Sequence, residues 1–313
     1  MQIPNVFPVR RADLVTDEAD ALSVAQPERR REYVRIRPGR FRGAFTETSD
    51  GKVAVLHERW SSALRVRCAR PRSYVAFGVV ASRKETRWCG LQLGPRNVLE
   101  FGCDWEMTTS GALEALAFGV ERSALERVEA LLAGDGAARP VGNRLLAGAT
   151  ANAEKLAHRI TSALLASELP HTARQALDAE FLYLAARLRR PVAGAPARLE
   201  SWSKRRAVVR RIEEFLDAHE REIPSLAELC AFAGIGERTL EYAFREQLGV
   251  PPGRFLRLRR LNAARRELRS AEPGTTRVTD VALRWGFWQL GRFATEYRTL
   301  FGERPSETLL VRR

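Results

Sequence analysis

Histidine, cysteine and methionine are scarce in this chain of 313 residues, which holds four, four and two of them. His57 is the only histidine in the segment patterned like strands, and one imidazole cannot supply the ligand cluster that a metal site in a β-rich domain needs. No second histidine follows four residues after it, and no Gly-x-Ser-x-Gly occurs, so neither the helical zinc-hydrolase pair nor the serine-hydrolase elbow is present. Cys68, Cys89, Cys103 and Cys230 form no Cys-x-x-Cys pair and have no histidine at zinc-ligand spacing, which points to reduced, structural thiols. No run of about 18 apolar residues could cross a bilayer, and residues 1–30 lack an apolar run of signal-peptide length. The expectation is a cytoplasmic chain with no membrane partner, no metal, no cofactor and no assigned catalytic residue.

Positive charge, by contrast, is abundant. Lys and Arg number 52 against 38 Asp and Glu, a formal net charge of +14. Residues 201–313 hold 22 basic and 15 acidic side chains, a balance of +7, and residues 1–200 carry the other +7. The last third is therefore almost twice as dense in positive charge. An acidic partner follows, and double-stranded DNA is the obvious polyanion, because neutralising phosphates releases condensed counterions. An arginine-rich proteome would give the same balance, so charge alone does not decide.

The length suits two or three domains, and 45% hydrophobic residues suffice to build their cores. Residues 33–120 alternate with period two and are punctuated by turn residues such as Pro38-Gly39, Asp50-Gly51 and Gly94-Pro95. Short strands at close intervals predict a β-barrel or sandwich. Leu64, Val66 and Cys68 face one way and Arg65 and Arg67 the other, while residues 74–81 are apolar on both faces and predict a central strand. Trp60, Trp88 and Trp105 either pack a core or line a pocket for a small organic ligand. From Glu121 the period becomes helical, over 123–133, 151–166 and 172–190. Leu156, Ile160 and Leu164 form one stripe, and Leu177, Phe181, Leu184 and Leu188 another; each must cover the β-region or pair across a homodimer axis. The small, proline-bearing stretch 191–197 reads as a linker, and 203–219 as an amphipathic helix whose first half carries Lys204, Arg205, Arg206, Arg210 and Arg211, either a phosphate patch or a solvated face.

The last ninety residues repeat themselves. Leu226, Leu229, Cys230, Gly234 and Ile235 match Val278, Val281, Ala282, Gly286 and Phe287 at an offset of 52. Leu240, Phe244, Leu248, Gly249 and Pro252 then match Phe293, Tyr297, Phe301, Gly302 and Pro305 at an offset of 53. Each copy reads as a short helix, a glycine turn and a second helix with apolar residues at i, i+4 and i+8, a helix-turn-helix written twice. Burying Leu240, Phe244 and Leu248 leaves Arg238, Glu241, Tyr242 and Arg245 on the open side of the first unit. Burying Phe293, Tyr297 and Phe301 leaves Gln289, Gly291, Arg292, Thr295 and Trp288 on that of the second. Arginine reads guanine bidentately, an amide reads adenine and a carboxylate accepts from cytosine, while Gly291 allows close backbone approach. Simple exposure is the bland reading for any one of these residues, and it is weaker for two sets in the same helical phase. Between the units, 252–270 predicts a rigid helix of roughly 28 Å at 1.5 Å per residue. That rod could set two recognition helices about 34 Å apart, in successive major grooves of one DNA face.

These two units resemble the AraC/XylS family of bacterial transcriptional regulators. So do the spacer residues Arg259-Arg260-Leu261-Asn262-Ala263-Ala264 and the run from Gly286-Phe287 through Arg292-Phe293, Tyr297 and Phe301-Gly302 to Pro305-Ser306. The resemblance covers about one third of the chain strongly. It implies an α+β multidomain fold: a cupin-like β-barrel over 1–120 that senses a small-molecule effector, a helical segment over 121–190 that could dimerise, a linker over 191–202, and a double helix-turn-helix domain over 203–313. It also implies DNA contacts from the 237–245 helix and from 289–295, and RNA polymerase as a partner if the chain activates. Gly236 stands where a serine N-cap is common, and Glu241 could repel phosphate, so the first unit is expected to be the weaker reader. An effector-independent architectural DNA-binding protein is the main alternative. An enzyme or a DNA-damage sensor fused to such a domain has less in its favour, because Cys68, Cys89 and Cys103 are too scattered for a zinc-bound nucleophile. Gly234-Ile235-Gly236 follows a helix and lacks the third glycine of a dinucleotide loop.

Overall fold

The computed structural model describes residues 10–24, 31–49, 52–69, 73–94, 96–102, 104–133, 140–146, 152–165, 170–190, 204–272 and 274–310. The expected linker, Cys103 and residues 1–9 lie outside them. Two antiparallel sheets form the N-terminal part. The larger contains β1 (Arg10–Thr16), β3 (Gly43–Ser49), β4 (Val53–Trp60), β6 (Tyr74–Ser82), β9 (Arg96–Phe101), β11 (Leu113–Glu121) and β12 (Arg144–Leu145), in the order β1-β3-β4-β11-β6-β9-β12. The smaller contains β2 (Arg31–Arg35), β5 (Leu64–Cys68), β7 (Thr86–Trp88), β8 (Leu91–Gln92) and β10 (Trp105–Thr109), in the order β2-β5-β10-β7-β8. The apolar segment at 74–81 is central, with β11 on one side and β9 on the other.

Among the described residues no ladder joins one sheet to the other, so the expected barrel does not close and the sheets pack as a sandwich. Closure depends on which edges meet, and a side chain from the C-terminal region occupies the free edge of β2 instead. The alternation read from the sequence builds the filling: Leu64, Val66 and Cys68 point inward with Tyr33, Phe45, Met107 and all three tryptophans. Trp60, Trp88 and Trp105 are buried within that filling.

Helices α1 (Ala19–Val24), α2 (Arg122–Ala133), α3 (Ala153–Leu165) and α4 (His171–Leu188) surround the sandwich. Leu156, Ile160 and Phe181 are buried against Val55, Phe77 and Phe118 on the outer face of the larger sheet, with Leu177, Leu184 and Leu188 packed alongside. Both stripes thus find their partner inside the subunit; the side chain of Leu164 lies outside the described residues. Seven helices follow among the described residues: α5 (Lys204–Ala218), α6 (Leu226–Ala233), α7 (Glu237–Leu248), α8 (Pro252–Ser270), α9 (Val278–Arg284), α10 (Leu290–Phe301) and α11 (Pro305–Leu310). They form two cores. One joins α5 to α7 with Phe255, and the other gathers α8 to α10 with Val34 of β2 and with Ile36 and Ala63 beside the ends of β2 and β5. The smaller sheet is therefore covered on both faces, by the larger sheet and by the C-terminal helices. No helix of the described residues is long and apolar enough to cross a membrane.

Candidate nucleic-acid interface

Four glycines show the duplication in the backbone. Gly234 ends α6 and Gly286 follows α9, with φ of 67° and 72°; Gly249 ends α7 and Gly302 ends α10, with φ of 70° and 79°. Such left-handed angles close a helix without a Cβ penalty. Pro252 and Pro305 then open α8 and α11 at matching places, where a proline loses no helical hydrogen bond. The first unit is the better capped. Ser225 Oγ accepts from the Glu228 amide at 3.2 Å, and Glu228 accepts from the Ser225 amide at 2.7 Å, a reciprocal pair that holds the Glu228 carboxyl below its usual range. Gly236 and Gln289, which cap α7 and α10, contribute no side-chain bond.

Leu240, Phe244 and Leu248 are buried on α7, and Phe293, Tyr297 and Phe301 on α10. The Tyr297 hydroxyl meets Thr308 Oγ1 at 2.8 Å, and burial pushes its phenol well above the usual range. All nine expected contact residues sit on the opposite side. Arg238, Glu241, Tyr242 and Arg245 are exposed on the first unit, and Trp288, Gln289, Gly291, Arg292 and Thr295 on the second, with Trp288 77% exposed. Thr239 and Arg298 are exposed on the same helices and were not singled out from the sequence; Arg298 lies three residues after Thr295, so the helical phase carried the signal.

Pairing within each helix sets the charge that is offered. Arg245 Nη2 lies 2.8 Å from Glu241 Oε1, and the Arg238 guanidinium sits 5.7 Å from the centre of the Tyr242 ring. Glu241 therefore neutralises a neighbouring arginine on the same face. On the second unit Arg292 donates to Glu296 at 2.9 Å, and Arg257 of α8 also donates to Glu296. Burial works to raise the Glu296 carboxyl, but the two arginines outweigh it and hold it below its usual range. Gly291 has open space where a Cβ would stand.

The basic cluster at the start of α5 is not one patch. Arg206 is buried and donates to Glu106 of β10 at 2.7 Å. Arg205 pairs with Glu246 at 2.6 Å and Arg210 with Glu214 at 3.3 Å, while Arg211 lies over the Phe232 ring; nothing is described for the Lys204 side chain. The phosphate reading of Arg206 is thus replaced by a structural one, because an acidic residue a hundred positions away claims it.

That contact belongs to a charged seam between the smaller sheet and the helices. Arg65 Nη2 lies 2.8 Å from Glu213 and 2.9 Å from Glu106, with all of these side chains nearly excluded from water. Burial works against charge on Arg65, and the two carboxylates outweigh it and push its guanidinium up. Arg67 reaches Asp217 at 2.5 Å, and Arg259 of α8 reaches the same carboxylate at 2.7 Å. Asn262, midway along α8, accepts from the Arg35 amide at 3.1 Å and donates to the Arg35 carbonyl at 3.1 Å, taking the place of a neighbouring strand on β2. Glu18 receives Arg265 and Arg269 beyond it, and Arg35 and Arg265 both lie over the Phe301 ring.

Residues 229–310 match the model of a helix-turn-helix domain family. A Rhodococcus erythropolis protein named "Probable thc operon regulatory protein" is 39% identical over 102 residues, covering 33% of this chain and 31% of its own length. The XylDLEGF operon transcriptional activator of Pseudomonas putida is 34% identical over 116 residues, 37% of this chain and 36% of its own. The C-terminal third is thus similar to the corresponding part of these operon regulators and carries a helix-turn-helix domain. The chain thus spans about a third of the curated relatives it matches first. Among solved structures, the AraC-like transcriptional activator CuxR aligns over 82% of this chain and 95% of its own at 15% identity, with a TM-score of 0.43. ToxT of Vibrio cholerae bound to (E)-4-(8-methylnaphthalen-1-yl)but-3-enoic acid aligns over 82% and 98% at 10% identity, with a TM-score of 0.32.

Proposed function

We propose that this chain is a sequence-specific transcriptional regulator whose two helix-turn-helix units read successive major grooves on one face of a duplex. The observation that carries this reading is the pair of open polar faces on helices that follow matching left-handed glycines. Arg238, Tyr242 and Arg245 contact one half of the site. Gln289, Arg292 and Thr295 contact the other, with Trp288 and Gly291 against the backbone. The helix α8 spaces the units, so one subunit reads a bipartite, non-palindromic sequence. Among the described residues nothing packs over either reading face, which makes this arrangement compatible with bound DNA.

In the same reading, residues 203–313 are the DNA-binding domain, 191–202 the linker and 121–190 a helical segment that covers the sheet. Residues 1–120 form a cupin-like sensor for a small-molecule effector. The relatives' names speak of operon regulation and activation, which supports RNA polymerase as a partner of the DNA-bound form if the chain activates. Homodimers, if they form, use surfaces other than the two leucine stripes. The reading is of a regulator and not an enzyme, and the described residues hold no cluster of three His, Cys, Asp or Glu side chains that could bind a metal ion. Selection from random oligonucleotides at moderate salt tests the core of the proposal. Enrichment of a two-part site about one helical turn in span is expected, and the absence of any sequence preference overturns it. A footprint that stays constant across a metabolite panel would favour the architectural reading over the sensor.

A further inference from the structure

The larger sheet carries a second, unassigned surface on the face opposite the DNA-binding helices. The helices α3 and α4 cover only one end of that face. At the other end a groove of about 1540 Å³ crosses five strands. Its floor follows one register row, Val15, Ala44, Arg59, Glu114 and Ala81, on β1, β3, β4, β11 and β6. At about 4.8 Å between strands the row is about 19 Å long, the span of roughly six extended residues. Val15 is 83% exposed, although the same face nearby buries Val55 and Phe118.

Four exposed cations line the groove: Arg42 where β3 begins, Arg59 at its centre, and Arg83 and Lys84 on the turn after β6. None has a carboxylate partner among the described residues. The two acids present are Asp17 and Glu114, and His57 Nε2 already meets Glu114 at 2.7 Å. Positive charge is therefore in excess, and it is spread along the row. A distributed line of cations beside the apolar floor positions Val15, Ala44 and Ala81 fits neither a compact anion, which needs convergent donors, nor a duplex, whose phosphates make no use of those three residues. It fits an extended chain whose alternate side chains point to floor and rim. Both sheets lie between this groove and the reading helices, so it stays open when DNA is bound.

We propose that this groove docks an extended segment of a partner protein in which acidic and apolar residues alternate. The site is independent of the DNA reading. It is tested with the full-length protein and a fluorescein-labelled eight-residue peptide alternating glutamate and leucine, followed by anisotropy. Binding that weakens with salt is expected, and Arg59→Ala with Arg83→Ala should reduce affinity about tenfold without changing the melting temperature. Lys84→Glu, on an exposed turn, gives a second readout by shifting preference toward a lysine–leucine peptide. Unchanged affinity in both variants overturns the proposal. So does loss of binding in Arg238→Ala with Arg292→Ala, which would put the peptide on the DNA face. Equal affinity for an all-aspartate peptide, or displacement by millimolar glutarate, would likewise reduce the groove to a small-anion site and sink the assignment.

Discussion

The two helix-turn-helix units share a skeleton and differ in how they are held. The first has a reciprocal Ser225 and Glu228 cap and is fastened to the sheet through buried charge, by way of Arg206 and Glu213 on α5. The second has no side-chain cap, and its core is completed by Val34 of β2 and by Ile36 and Ala63 beside the ends of β2 and β5. Local hydrogen bonds make the first unit the more self-sufficient, whereas the second depends on its neighbour. The copies thus preserve the reading geometry while dividing the work of attachment between electrostatics and apolar packing.

The largest expected effect lies at the charged fastening. Glu213→Ala leaves Arg65 buried with Glu106 alone, and breaking a buried pair costs about 3 kcal/mol. Chemical unfolding monitored by circular dichroism should show it, and a change under about 1 kcal/mol would mean that water reaches the seam. At the other attachment, Asn262→Ala strands a buried amide and carbonyl of Arg35, for about 2 kcal/mol.

The glycines sharpen the comparison further. Gly234→Ala meets nothing within 4 Å and should cost about 1 kcal/mol for the left-handed angle alone. Gly286→Ala would place its Cβ 2.4 Å from Ile223 Cδ1, so it should cost about 1 kcal/mol more. Equal melting temperatures for the two variants would show that Ile223 moves aside.

For reading, Arg292→Ala should lower base preference in one half-site by about 1 to 3 kcal/mol, whereas Glu241→Gln, which frees Arg245, should tighten all sequences alike. Competition between cognate and random duplexes separates the two; equal losses on both DNAs for Arg292→Ala would refute a base contact.

A pH dependence is expected beside α8. Burial, opposed by Arg266, pushes the Asp20 carboxyl up from 3.8 to about 6. The folded state then holds this proton more tightly than the unfolded chain, so the group's contribution to stability falls as pH rises from about 4 to 6. Asp20→Asn should flatten that slope, and an unchanged slope would assign it to another group.

Much of this was legible in the chain. Glycines and prolines at matched offsets located both units to within a residue or two, and the i, i+4, i+8 rows named the buried side of each reading helix. The ladder of Leu64, Val66 and Cys68 fixed the inner face of β5. Its other face was not legible: Arg65 and Arg67 look like ordinary solvent-facing positions because alternation reports only that a face is polar. Their partners Glu213 and Asp217 lie about 150 residues away, beyond any periodicity. Arg206 was misread for the same reason, and barrel closure was unreadable because it depends on which distant edges meet.

Asn262 gives the seam a consequence of its own. A carboxamide that satisfies one residue's amide and carbonyl together works as a key cut for a single notch, since sliding the rod by a turn would present Leu258 or Arg266 to the same backbone. The angular phase of α8, and with it the bearing of both reading helices, is thereby indexed to one rung of the sheet. A shift of β2 by even one rung would turn both readers at once.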